Sequence, residues 1–171
     1  DSRGLMREPT GNSGMRKVRL DDLDSRMGPA ARSLPLTDAL GLADAAMNFY
    51  ELEPGDSFAY GFHAHADQEE VFYVLDGAVT FRTLEDQDDV TVEAGELVRF
   101  GPGEFQQGVN EGDEPVRALA VGAPQDPGDT EVLRECPECG DETTQSLELA
   151  DDRSEIRTVC EACGTVTGHF D

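Results

Sequence analysis

Three side chains in the stretch Gly61 to Gly77, GFHAHADQEEVFYVLDG, have the types and spacing of a metal site. His63 and His65 stand two residues apart, and residues two apart on a β-strand project from one face. A turn over Ala66-Asp67-Gln68 returns the chain, so that a carboxylate from the pair Glu69-Glu70 meets the two imidazoles. Two imidazoles and one carboxylate form a facial ligand set that leaves positions open on a first-row metal.

A second group holds all four cysteines, as Cys136-Pro-Glu-Cys139-Gly and Cys160-Glu-Ala-Cys163-Gly with twenty residues between the pairs. Each CxxCG is a knuckle whose tight turn aims two thiolates at one metal, and two knuckles complete a tetrahedral four-cysteine zinc site. The rivals are disulfides or a redox pair. Disulfides belong to secreted chains, and the first thirty residues hold no apolar run of signal-peptide length. A redox CxxC stands once in a βαβ pattern rather than as two matched knuckles. Between the knuckles, Ser146-Leu147-Glu148-Leu149 and Ile156 to Val159 suit a hairpin. The segment reads as a zinc ribbon, in which the metal closes a piece of chain too small to bury its own core.

The elements that must position the histidines are short strands. Alternation predicts strands over 46–53, 57–65, 70–75, 78–84, 89–93, 96–100, 105–109 and 116–122. Turn residues punctuate them at Pro54-Gly55, Asp76-Gly77, Ala94-Gly95, Gly101-Pro102-Gly103 and Asn110 to Pro115. A further short strand is expected over 16–20 and a helical turn between Thr37 and Ala45. With no long helical pattern, the fold class is all-β, a sandwich or small barrel.

The first motif resembles that of the cupin family: HxH, three or four residues, Glu, six residues, Gly. Four residues separate His65 from Glu70 and six separate Glu70 from Gly77, so the resemblance makes Glu70 the ligand and Glu69 its exposed neighbour. Ser57 replaces the glycine usual six positions before the first histidine. A second family motif falls on residues 95–110, with Gly95, Gly103 and Asn110 in register and Gly101-Pro102 at the usual proline turn. Gln106 occupies the place of the family's third histidine, where it offers a weak neutral ligand or a hydrogen bond to metal-bound water. The resemblance implies a double-stranded β-helix (jelly-roll) barrel.

The resulting division is a leader over 1–14, an N-terminal arm over 15–45, the cupin barrel over 46–123, a linker over 124–134 and the ribbon over 135–171. The leader stands apart because its charges cancel, as in a tag or a disordered terminus.

Thirteen basic residues, of which only Lys17 is a lysine, face thirty-seven acidic ones, for a net charge of −24. No basic patch exists to neutralise phosphates, which argues against a nucleic-acid partner. An acidic, lysine-poor surface resembles proteins of salt-loving organisms, where ions screen its self-repulsion. The acidic run Glu85-Asp86-Gln87-Asp88-Asp89 lacks the spacing of a calcium loop and reads as a solvated turn. His169 reads as a surface or packing residue, and Phe58, Tyr60, Phe72, Phe100 and Phe105 read mostly as core. No apolar run is long enough to cross a bilayer, so a cytoplasmic protein is expected.

Two functions follow. In the first, the barrel holds Fe, Mn, Ni or Zn on His63, His65 and Glu70, aided by Gln106, and binds or transforms a small oxygen-rich molecule. In the second, a non-catalytic barrel senses a small ligand while the zinc ribbon of Cys136, Cys139, Cys160 and Cys163 docks a protein. Small cupins commonly pair through barrel strands, so a homodimer is expected.

Overall fold

The computed structural model describes residues 14–84 and 88–171. The residues outside it are almost all of the leader, residues 1–13, and the first three of the acidic run, residues 85–87. The strands are β1 (Arg32–Pro35), β2 (Ala46–Leu52), β3 (Phe62–His65), β4 (Glu69–Asp76), β5 (Ala78–Thr83), β6 (Val90–Glu93) and β7 (Leu97–Phe100). They continue as β8 (Gln106–Val109), β9 (Val116–Ala123), β10 (Thr130–Cys136), β11 (Asp141–Leu149), β12 (Ile156–Cys160) and β13 (Val166–Phe170). One short helix, α1 (Leu36–Leu40), lies between β1 and β2.

Two antiparallel sheets face each other. One runs β1-β2-β9-β4-β7 and the other β13-β12-β11-β10-β3-β8-β5-β6. Phe72 and Val74 of β4, Val79 and Phe81 of β5, and Ala118 and Ala120 of β9 project between them into one buried cluster with Leu52 and Phe58. The period-two pattern of these strands is what one buried face requires. The opposite face of the first sheet is buried too. Phe49 of β2 packs with Leu34 and Leu36, against Leu20, Leu23, Leu75 and Leu119. The N-terminal arm is therefore a cover over the barrel's outer face.

The structure departs from the sequence expectations in several places, the strand β1 among them, since no strand is expected over 32–35. Residues 16–19 are irregular and lead into a 3-10 turn at Leu20–Asp22, which puts Leu20 and Leu23 on the outer cluster instead of in a strand. Residues 57–61 bend, with a single bridge from Ser57 to Val109, because Phe58 turns inward to pack against Phe72 and Phe81. Residues 130–134 are strand, not linker. They lie in β10, which pairs with β3 from Thr130↔His65 to Leu133↔Phe62 and buries Val132. The C-terminal strands thus extend the barrel sheet, and only 124–129 remain irregular.

Candidate metal centre and its cavity

His63 and His65 come from β3 in the larger sheet, while Glu70 comes from β4 in the other. The turn over 66–68 is a crossover between sheets, so imidazoles and carboxylate meet across the barrel interior. Glu70 Oε2 lies 3.3 Å from His63 Nε2 and 3.6 Å from His65 Nε2. Ligand atoms from the three residues lie within 4.8 Å of one another, a spacing that a single first-row ion can bridge. Glu69 points the other way and pairs its carboxylate with Arg99 at 2.7 Å on the outside.

Gln106 begins β8 and is paired in register with His63. Its Nε2 lies 3.1 Å from His63 Nε2 and donates to Glu70 Oε2 at 3.3 Å, so the glutamine does enter the cluster. Among the described residues, His63 Nδ1 and Gln106 Oε1 are buried with no hydrogen-bond partner. Asn110, by contrast, is a structural residue. Its amide donates to Leu52 O and Glu114 O, and its carbonyl accepts from Gly112 N.

Burial pushes the Glu70 carboxyl up, but hydrogen bonds from His63 and His65, with their charges, outweigh it and hold the group at about 2. Burial raises the nearby Tyr50 phenol to about 12, helped by the negative charge of Glu70 and only partly offset by Ser33 and Arg26. Tyr50 therefore stays a neutral hydroxyl at any ordinary pH.

A cavity of about 320 Å³ adjoins the cluster, lined by His63, His65 and Glu70 together with neutral polar residues that include Asn48, Tyr50, Tyr60 and Thr130. Neither lysine nor arginine is among the lining residues. Sequence reasoning missed Asn48, Tyr50, Thr130 and Leu147. The first two carried a signal: with Ala46 and Leu52 they share one face of β2, the face that turns inward.

The cysteines converge as the spacing predicts. Cys136 Sγ lies 3.5 Å from Cys163 Sγ, Cys139 Sγ lies 3.9 Å from Cys160 Sγ, and the four sulfurs lie within 4.8 Å of one another. Bonds of about 2.3 Å to a tetrahedral zinc would set sulfurs about 3.8 Å apart, whereas a disulfide needs about 2 Å. Each knuckle closes on its glycine: Gly140 N donates to Cys136 O and Gly164 N to Cys160 O, both at 2.8 Å, with φ of +71° and +78°. The Thr143 hydroxyl, 3.1 Å from Cys160 Sγ, leads the effects that bring that thiol down to about 6, while the neighbouring sulfurs of Cys163 and Cys136 push Cys139 up to about 12. His169 is exposed and pairs with Glu155 at 3.0 Å, away from both clusters. Among the described residues, no helix is long and apolar enough to cross a membrane.

Residues 48–122 match the cupin domain family. The barrel has the cupin fold. Solved structures agree on the fold. A sugar phosphate isomerase from a cupin superfamily of Silicibacter pomeroyi is 27% identical, covering 89% of this chain and 92% of its own, with a TM-score of 0.56. A conserved protein with a double-stranded β-helix domain from Klebsiella pneumoniae is 19% identical over 67% of this chain and 95% of its own, with a TM-score of 0.55. A predicted oxalate decarboxylase from Thermotoga maritima is 23% identical over 63% of this chain and 98% of its own, with a TM-score of 0.54. None of the curated proteins matches the chain. The Silicibacter likeness extends past the cupin barrel, because 89% of the chain cannot be covered without much of the C-terminal segment.

Proposed function

We propose that this cupin holds a divalent metal (iron, manganese, nickel or zinc) on His63, His65 and Glu70, and that the site binds or transforms a small oxygen-rich molecule in the adjoining cavity. One observation carries the reading: three ligand atoms within 4.8 Å border a cavity whose remaining polar groups are uncharged. A metal bound there supplies Lewis-acid polarisation of a ligand oxygen. The chain's own groups do the rest. Tyr50 keeps its proton and donates a hydrogen bond, Asn48 offers both donor and acceptor, and Phe58 and Phe72 exclude water. The Silicibacter relative supports a carbohydrate-like ligand. A lining without lysine or arginine assigns the cavity to the hydroxyl-bearing, uncharged part of such a molecule.

In the same reading Cys136, Cys139, Cys160 and Cys163 hold a structural zinc, and Gln106 lies beside the metal as a weak ligand or a hydrogen-bond partner of bound water. The acidic surface fits a salt-rich cytoplasm. The homodimer expectation attaches to the edge strands β6 and β7, where Val90 and Leu97 are exposed. A non-catalytic sensor is the second reading. What favours it is a cavity whose only acid–base groups besides the three ligands are two tyrosines, both with raised pKa.

Metal content per chain, measured by mass spectrometry on protein purified without chelator, tests the proposal. Zinc should vanish in a Cys136→Ser, Cys139→Ser variant while a second metal persists, and His63→Ala should remove that second metal. Barrel metal unchanged in His63→Ala refutes the ligand assignment. Zinc alone, wholly lost with the cysteines, with no uptake of added iron, manganese or nickel, moves the protein to the sensor reading.

A further inference from the structure

The C-terminal segment reaches the barrel site through β10. Antiparallel pairing sets Thr130 opposite His65 and Val132 opposite His63, and residues directly opposite project from the same face. Thr130 Oγ1 lies 2.9 Å from His65 Nδ1. Leu147 of β11 joins Thr130 and Val132 in lining the cavity that His63, His65 and Glu70 border. The same face of β10 continues through Arg134 to Cys136, one of the four clustered cysteines.

Arg134 fastens this strand on two sides. Its guanidinium donates to Tyr60 O before β3 and, at 3.2 Å, to Thr167 O of β13, and it lies 5.4 Å from the centre of the Phe170 ring. Gly61 permits the close approach, since a Cβ there would stand 2.4 Å from Leu133 O.

We infer that the cysteine-clamped segment is a wall of the barrel site and that Thr130 is a positioning residue for His65. With a metal bound, His65 Nδ1–H would donate to Thr130 Oγ1 and fix the ring with its Nε2 lone pair toward the ion and Glu70 Oε2. The cysteine cluster, six residues along the same strand face, holds β10 in the register that places Thr130 there. This inference rests on the metal reading of His63, His65 and Glu70.

The test uses the full chain and Mn²⁺, which prefers oxygen and imidazole ligands to thiolates. Thr130→Val keeps the β-branched shape and removes the hydroxyl. It should weaken Mn²⁺ binding about 10- to 100-fold, with Thr130→Ser restoring it. Nitrogen-15 relaxation of the metal-free protein should show the His65 ring held in one orientation in the wild type and in Thr130→Ser, and more mobile in Thr130→Val. The Cys136→Ser, Cys139→Ser variant should speed amide exchange over Thr130–Leu133 and lower Mn²⁺ affinity without abolishing binding. Equal Mn²⁺ affinity in wild type and Thr130→Val overturns the inference, as does a His65 ring as rigid in Thr130→Val as in the wild type. A wild type that binds no Mn²⁺ counts against the metal reading instead, and the order of the His65 ring then decides the role of Thr130 by itself.

Discussion

Gln106 Nε2 and His63 Nε2 lie 3.1 Å apart on paired positions of β8 and β3. One of the two must donate and the other accept. With the amide as donor, His63 carries its proton on Nδ1, a buried atom without a partner, and Gln106 Oε1 is left without one as well. Each unmet buried group costs about 1–3 kcal/mol. In the opposite amide orientation Oε1 would accept from His63 Nε2–H but stand against Glu70 Oε2, a repulsion that a cation between them would relieve.

In the proposed metal site Gln106 stands beside the ion as a weak fourth ligand or a hydrogen-bond partner of bound water. Gln106→His should place a third imidazole beside the other ligands and tighten Mn²⁺ or Ni²⁺ binding at least about tenfold, since imidazole is a stronger donor than a neutral amide. Calorimetric titration checks it. An unchanged affinity would mean that β8 directs this side chain past the metal rather than at it.

Phe72 holds the barrel together near the site. It is 1% exposed, and its ring lies 4.8 Å from Phe58 and 5.0 Å from Phe81 by centroids. Phe72→Ala should cost about 3–5 kcal/mol in a denaturant unfolding experiment. A loss below about 1 kcal/mol would show that the neighbouring rings collapse into the space.

The two metal clusters should fail separately in amide exchange. Cys139→Ser should abolish zinc binding and strip protection from β11, β12 and β13, while β4 and β9 keep theirs. Uniform loss across both sheets would instead make the barrel and the C-terminal strands one cooperative unit.

Charge makes a prediction about salt. A net charge of −24 repels itself, and at 1 M salt the screening length falls to about 3 Å. Thermal unfolding should shift upward between 0.1 M and 2 M KCl. A midpoint that stays level or falls would detach the acidic surface from any salt-rich setting.

The barrel strands were legible because β4, β5 and β9 alternate between a more buried and a more open face. His63, His65 and Glu70 were legible because spacing and residue type coincide in one stretch, and the cysteines for the same reason. β10 was not. Its sequence, TEVLREC, buries only Val132 and Cys136, so little of its pattern announces a strand. Thr130 and Leu147 reach the cavity through a pairing between distant segments, and local periodicity carries no information about such a partner. The outer burial of Phe49 and Leu119 was hidden likewise, because only the folded arm reveals what covers them.

The pairing of β3 with β10 also sets an order of assembly on the ribosome. Thr130 follows His65 by 65 residues, which is roughly 3–13 s of translation. Throughout that interval the strand carrying both histidines has at least one bare edge, open to mispairing with other nascent chains. The knuckle at Cys136 and Cys139 emerges just behind the strand that covers it, so a metal captured there would come at the moment the edge is closed. An ion reaching the histidines earlier meets a half-built socket.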